Sequence, residues 1–343
     1  MKALVKTRPG VGNIELMEVK KPVPKQNEVL IKVKFCGICG TDIKIYDDEF
    51  YADTPVIIGH EFSGVVEAIG EKVSEIKTGD KVACEQHTNA CYVCKYCLTG
   101  RRHLCAEKRS PGYLSDGAFA EYICMHESLV HIIPDKMSLK EAAVLEPMAI
   151  VAHALFEKTG IPIGDNAVIL GCGPIALLAL QILKACGAGK VYMTGIDADE
   201  DYRFEKALEY GADGVLNVLK IDAVKKIMEL TGIGADLVLD LSGAPQAINQ
   251  GMDMLCKDGK FCAIGLPHDK VSMDWSKAVL KAIQIFFSYS SSYQTWKKCI
   301  NLIEKGDVIL DDFTKEVFSL GDWEEGFKKA REGSALKVII EIP

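Results

Sequence analysis

Apolar and charged residues alternate along Glu28-Val29-Leu30-Ile31-Lys32-Val33-Lys34, the period of a strand with one buried face. Residues 62–70 and 80–84 read as further strands, punctuated by Gly70 and Gly79. Up to about residue 150 the pattern predicts an all-β body with long loops, where sites tend to lie. From Asn166 the texture changes. Ala167-Val168-Ile169-Leu170 is continuously apolar, then comes Gly171-Cys172-Gly173-Pro174-Ile175-Ala176, then helical periodicity to about Ala185. Apolar runs recur at 191–194, 236–241, 259–265 and 282–287, with helical stretches between them. Strands alternating with helices predict a parallel, doubly wound sheet. Residues 337–342 read as a last strand that pairs back into the first domain.

Strand, Gly-rich turn and helix around Gly171 make the G-x-G-x-x-A form of a dinucleotide-binding turn. Gly171 allows the tight turn, Gly173 lets backbone approach a pyrophosphate, and Ala176 lets helix and strand pack closely. Pro174 and Ile175 open the helix, whose N-terminus favours negative charge. The same Gly-Cys-Gly-Pro segment makes the apolar stretch 167–183 a strand–turn–helix rather than a membrane span.

At 343 residues the chain predicts two domains. Its net charge of −8, with no long Lys/Arg run, argues against nucleic-acid or anionic-membrane partners. The segment Met1-Lys2-Ala3-Leu4-Val5-Lys6-Thr7-Arg8 lacks the apolar core of an export signal. Thirteen cysteines, an odd number with four at metal spacing, point to a reducing cytoplasm rather than a disulfide framework.

Those four form Cys91-x2-Cys94-x2-Cys97-x7-Cys105, the ligand set of a closed structural zinc site. An iron–sulfur cluster fits less well, since the last gap is seven and Ala106, not proline, follows Cys105. A second constellation runs from Cys36-Gly37-Ile38-Cys39-Gly40-Thr41-Asp42 to Gly59-His60-Glu61. A thiol, an imidazole and a carboxylate can hold zinc while leaving a position open for substrate. Taken one at a time, Cys39 reads equally as a buried small hydrophobe and His60 as a loop histidine.

These blocks, in this order, resemble the zinc-dependent medium-chain alcohol and polyol dehydrogenases, among them sorbitol, L-threonine 3- and polyol-phosphate dehydrogenases. The resemblance also takes in Asp116-Gly117-Ala118-Phe119-Ala120-Glu121-Tyr122, Glu146-Pro147 and the closing Lys337-Val338-Ile339. It implies an α/β two-domain fold: a GroES-like zinc-binding catalytic domain, 1–150 and 289–343, and a Rossmann NAD(P)-binding domain, 151–288. Substrate and nicotinamide are expected to meet in the cleft between them. It further implies catalytic zinc on Cys39, His60 and Glu61, with Glu146 as fourth ligand or water-holder. Thr41 then accepts the alcohol proton and Asp42 orients His60. Lys337 is expected at the cofactor. A homotetramer or homodimer is implied by the resemblance alone.

Two departures stand out. Many relatives end the proton relay with a histidine where this chain has Lys44, so the relay is expected to run through Glu146 and water. The acid that ends the second strand in NAD-specific relatives is here Gly195. Either Asp197 or Asp199 does its work, or the pocket opens to a 2′-phosphate with Arg203 nearby. NAD is expected over NADP. The expected substrate is a small polyol, oxidised at a secondary hydroxyl. L-Threonine is the alternative, from the likeness in Met273-Asp274-Trp275-Ser276-Lys277 and Thr295-Trp296, and a polyol phosphate the third, from residues 288–292 and Lys44. A non-catalytic zinc or nucleotide binder is the distant rival.

Overall fold

Ten residues, Glu28–Gly37, form the longest strand, and the first half of the molecule is built on it. The computed structural model describes residues 1–343. One edge of Glu28–Gly37 pairs antiparallel with Glu61–Ile69. Its other edge is shared, with Tyr122–His126 on its first half and Val338–Glu341 on its last. Lys81–Cys84 and Val130–Ile132 extend the sheet beyond Glu61–Ile69, and Glu316–Ser319 lies parallel to Val338–Glu341. The alternation seen in the sequence is what buries Val29, Ile31 and Val33 completely. They pack with Leu4, Phe62, Phe119 and Ile340 in one core, each such side chain contributing about 1.5–3 kcal/mol. This first unit comprises Met1–Ala149, Ser291–Glu304 and Leu310–Pro343.

The second unit, Ile150–Ser290 with Lys305–Ile309, is organised on six strands. Side by side they run Gly214–Asn217, Val191–Gly195, Ala167–Leu170, Ala235–Asp240, Leu255–Ala263 and Gln284–Phe287, every neighbouring pair parallel. Ala167–Leu170 lies inside the sheet and is buried at all four residues, which is why it reads as a continuous apolar run. The chain returns to this unit at Lys305–Ile309. Gln181 holds it there, donating to the Ile309 carbonyl at 3.2 Å and accepting from the Ile309 N–H at 2.7 Å. The expected division, 1–150 with 289–343 against 151–288, puts those five residues in the first domain. No helix is long and apolar enough to cross a membrane.

Candidate active site

Register brings the first constellation together. Gly37 pairs with Glu61, so the end of one strand, leading to Cys39, lies beside the start of the other, preceded by His60. The ligand atoms of Cys39, His60 and Glu61 all lie within 4.8 Å of one another. Two glycines are closely hemmed in around them. Gly59 has φ of +92°, and a Cβ on it would stand 2.7 Å from the Phe119 ring. A Cβ on Gly37 would stand 2.5 Å from Glu61 Oε2 and 2.8 Å from Lys337 Cε.

Cys39 also caps the short helix Gly40–Tyr46. The Thr41 backbone N–H points at its sulfur, and Asp42 Oδ2 accepts from the Cys39 N–H at 2.8 Å. Asp42 Oδ1 lies 3.8 Å from His60 Nδ1, close but beyond a hydrogen bond. Both atoms are buried without a hydrogen-bond partner. Thr41 and Lys44 are half-buried on the same helix. Glu146, in the first turn of Leu145–His153, is 3% exposed and its Oε1 is likewise without a partner. It stands outside the group of three but near enough to act on it: burial, then the Glu61 charge, pushes its carboxyl well above the usual range. Lys337, expected at the cofactor, lies with its ammonium on Glu61 Oε2.

These residues fit a zinc ion. Burial and the Glu61 charge push the Cys39 thiol up to about 12, so a divalent cation is what would draw out its thiolate. The orphaned buried Glu146 Oε1 is an acceptor that a metal or the hydroxyls around it would satisfy, whereas the orphaned His60 Nδ1 and Asp42 Oδ1 face each other.

The second cluster is a separate lobe. Cys91 Sγ lies 3.6 Å from Cys105 Sγ and 3.9 Å from Cys97 Sγ, against an edge of about 3.8 Å for four sulfurs at 2.3 Å from zinc. Backbone N–H groups of Val93 and Cys94 pull the Cys91 thiol down to about 6. All thirteen cysteines are free thiols, so none of these contacts is a disulfide.

In the second unit, Gly171 has φ of +101° and is followed by Pro174 at the start of the twelve-residue helix Pro174–Ala185. A Cβ on Gly173 would meet nothing within 4 Å. That open space at a helix N-terminus suits a pyrophosphate. Ile175 is half-buried and Ala176 is 1% exposed, packed under the turn. Asp197 and Arg203 both lie near the end of Val191–Gly195, but neither is loose. Asp197 Oδ1 accepts from Asn217 Nδ2 at 2.7 Å, and Arg203 Nη1 donates to Asp199 Oδ1 at 2.9 Å.

One polar cluster carries no sequence signal. Glu85, 2% exposed, has His131 Nε2 at 3.0 Å and His87 Nε2 at 3.2 Å. The His131 ring stacks on Trp296 at 5.0 Å, the planes 5° apart.

Comparison with known proteins gives the setting. The alcohol dehydrogenase GroES-like domain is matched by residues 25–135 and the zinc-binding dehydrogenase domain by residues 174–305. Sorbitol dehydrogenase of Halalkalibacterium halodurans is 36% identical over 342 residues, 99% of each chain. D-Arabitol-phosphate dehydrogenase of Enterococcus avium is 36% identical over 99% of this chain and 97% of its own. L-Threonine 3-dehydrogenase of Bacillus subtilis is 38% identical over 99% and 98%. An Escherichia coli alcohol dehydrogenase complexed with NADH superposes with a TM-score of 0.91 at 26% identity, over 99% of each chain. Relatedness this deep, along essentially the full length, places the chain in the zinc-binding, NAD(P)-dependent medium-chain alcohol dehydrogenase family.

Proposed function

We propose that the substrate is a small polyol, oxidised at a secondary hydroxyl to a ketose with NAD(P) as hydride acceptor. The observation that carries this reading is the pair of buried carboxyl groups at the site, Glu61 and Glu146, with Glu146 Oε1 unpartnered. A polyol brings a second hydroxyl to such an acceptor. A simple aliphatic alcohol leaves it buried and unpaired, a loss of about 1–3 kcal/mol. The sorbitol dehydrogenase relative supports the same class.

Cys39, His60 and Glu61 would hold the zinc, whose contribution when bound is Lewis acidity that lowers the pKa of the reacting hydroxyl. The Thr41 hydroxyl takes that proton and Asp42 orients His60. Glu146 anchors the neighbouring hydroxyl and carries the proton relay toward water. Gly171 and Gly173 would give the pyrophosphate room at the N-terminus of the helix that begins at Pro174. Cys91, Cys94, Cys97 and Cys105 would hold a second zinc, which would secure the lobe.

The same carboxyls could hold the ammonium of threonine, which keeps L-threonine oxidation as the second reading, supported by the Bacillus subtilis relative. Initial rates with sorbitol, arabitol, threonine, a polyol phosphate and ethanol, each with NAD and NADP, decide between them. Sorbitol or arabitol should lead and ethanol should be turned over hardly at all; ethanol leading overturns the polyol reading, and threonine leading replaces it. A reducing cytoplasm is proposed from the thirteen free thiols, and a homodimer or homotetramer on family resemblance, with sedimentation as the test of subunit number.

A further inference from the structure

The strand that ordinarily ends in a ribose-binding acid ends here in Gly195. That glycine is not an empty place. A Cβ on it would come within 2.5 Å of the Phe204 ring and 2.8 Å of Asp199 Oδ2. The volume an acid at 195 would use is already filled, and one of the groups filling it is a carboxylate.

Asp199 is held from two sides. Its Oδ2 accepts from the Ile196 backbone N–H at 3.0 Å, and its Oδ1 accepts from Arg203 Nη1 at 2.9 Å. The pair borders the Gly-rich turn: the Cys172 thiol reaches the Arg203 carbonyl oxygen at 3.4 Å, and after burial the charges acting on that thiol are those of Asp199 and Arg203. Asp197 is engaged elsewhere. Its side chain is 64% exposed, with Lys220 Nζ at 3.7 Å, and it shares Asn217 Nδ2 with Glu200.

We infer that Asp199 is the residue that reads the adenosine ribose, with Arg203 as its counter-ion, and that the enzyme's preference for NAD over NADP rests on Asp199 and not on Asp197. An ionised carboxylate offers about four lone-pair sites, and Ile196 and Arg203 occupy two. The 8% of the Asp199 side chain that stays open is the window through which a ribose hydroxyl donates to it. A 2′-phosphate arriving there meets like charge. To be held it must draw Arg203 away, leaving a nearly buried carboxylate without its partner. Removing the acid reverses the situation, because Arg203 is then released to the phosphate.

The inference rests on the family's nicotinamide cofactor and not on the polyol reading, so it is tested by binding without substrate. Dissociation constants for NADH and NADPH are measured by fluorescence titration of the zinc-loaded wild type, Asp199→Asn, Asp197→Asn and the double variant Asp199→Asn with Arg203→Gln. Wild type should bind NADH more tightly by about ten- to a hundredfold. Asp199→Asn should bring the two constants within about threefold, by weakening NADH and strengthening NADPH, an effect of one lost charge. Asp197→Asn should leave the ratio unchanged, and the double variant should lose the NADPH gain. Collapse of the ratio in Asp197→Asn instead, or equal weakening of both dinucleotides in Asp199→Asn, overturns the assignment. A wild type that binds neither overturns the cofactor reading itself, whereas a failed polyol assay leaves this result standing.

Discussion

The ammonium of Lys337 rests on the carboxylate of Glu61 where water scarcely reaches, with 7% and 1% of the two side chains exposed. Burial alone would lower the Lys337 pKa, but the charges of Glu61, Cys39 and Glu146 outweigh it and raise it. The site therefore carries a fixed positive charge of its own. A zinc ion held by Cys39, His60 and Glu61 would share Glu61 with that charge.

Replacing Lys337 by methionine keeps an apolar stem of similar length and removes the charge. Repulsion between Lys337 and the metal disappears, so zinc at this site should bind more tightly, on the order of tenfold or more. Competition against a chromophoric chelator measures this, with the four-cysteine lobe as internal control. Zinc leaving the Lys337→Met site faster than the wild-type site would show that Lys337 supports the ligand geometry and does not oppose the ion.

Two zincs with different tasks should separate under mutation. Metal analysis of wild type should find about two zincs per chain. Cys39→Ser should lose one of them and all turnover while the melting temperature stays near that of wild type. Cys91→Ser should lower folding stability, since a structural site contributes to folding directly. Turnover surviving in Cys39→Ser would remove that cysteine from the site.

A methyl group on Gly37 would stand 2.5 Å from Glu61 Oε2 and 2.8 Å from Lys337 Cε. Both atoms lie far out on long side chains and not on backbone, so Gly37→Ala should fold by displacing them. The displaced carboxylate should lower kcat/KM by about a hundredfold, the scale expected for an ångström of misplacement. Circular dichroism beside steady-state kinetics checks both halves, and full activity would mean that Glu61 has slack in its position.

Acid should find the protein through Glu85. Burial opposes its ionisation, yet hydrogen bonds and charge from His131 and His87 hold its carboxyl down at about 2, against an ordinary 4.5. A folded-state pKa below the unfolded one stabilises above the ordinary value and is lost as pH falls from about 4.5 to about 2. The difference corresponds to about 3 kcal/mol. Glu85→Gln should therefore lose about that much at pH 7 and show a flatter stability curve below pH 4.5. Parallel curves for the two proteins would show that His131 and His87 leave Glu85 undisturbed.

What could be read from the sequence was whatever repeats locally or is spaced tightly. The half-buried run 28–34, the buried run 167–170 and the four cysteines within fifteen residues are of that kind. The Rossmann-type sheet and the β-rich half followed from them. Lys337 was different. Its partner lies far back in the chain, and only the pairing of Ile339 with Gly37 brings it to Glu61. Glu85, His87 and His131 sit in no recognisable spacing, because their meeting depends on strands folding side by side. Gly195 reads in the sequence as an absent side chain, whereas the Phe204 ring and the Asp199 carboxylate occupy its space. Lys305–Ile309 went to the second unit through one glutamine, which no periodicity announces.

The pairing of Val338–Glu341 with Glu28–Gly37 also sets a clock on the ribosome. The early strand is made about 300 residues before the one that covers its edge, a wait of about 15–60 s at ordinary elongation rates. Throughout that interval the stretch leading to Cys39 presents open backbone donors and acceptors to any other nascent strand. The six-stranded sheet is fully synthesised in the meantime. The candidate site around Glu61 can take its finished form only once Lys337 has emerged, so a newborn chain is at greatest risk of mispairing beside it.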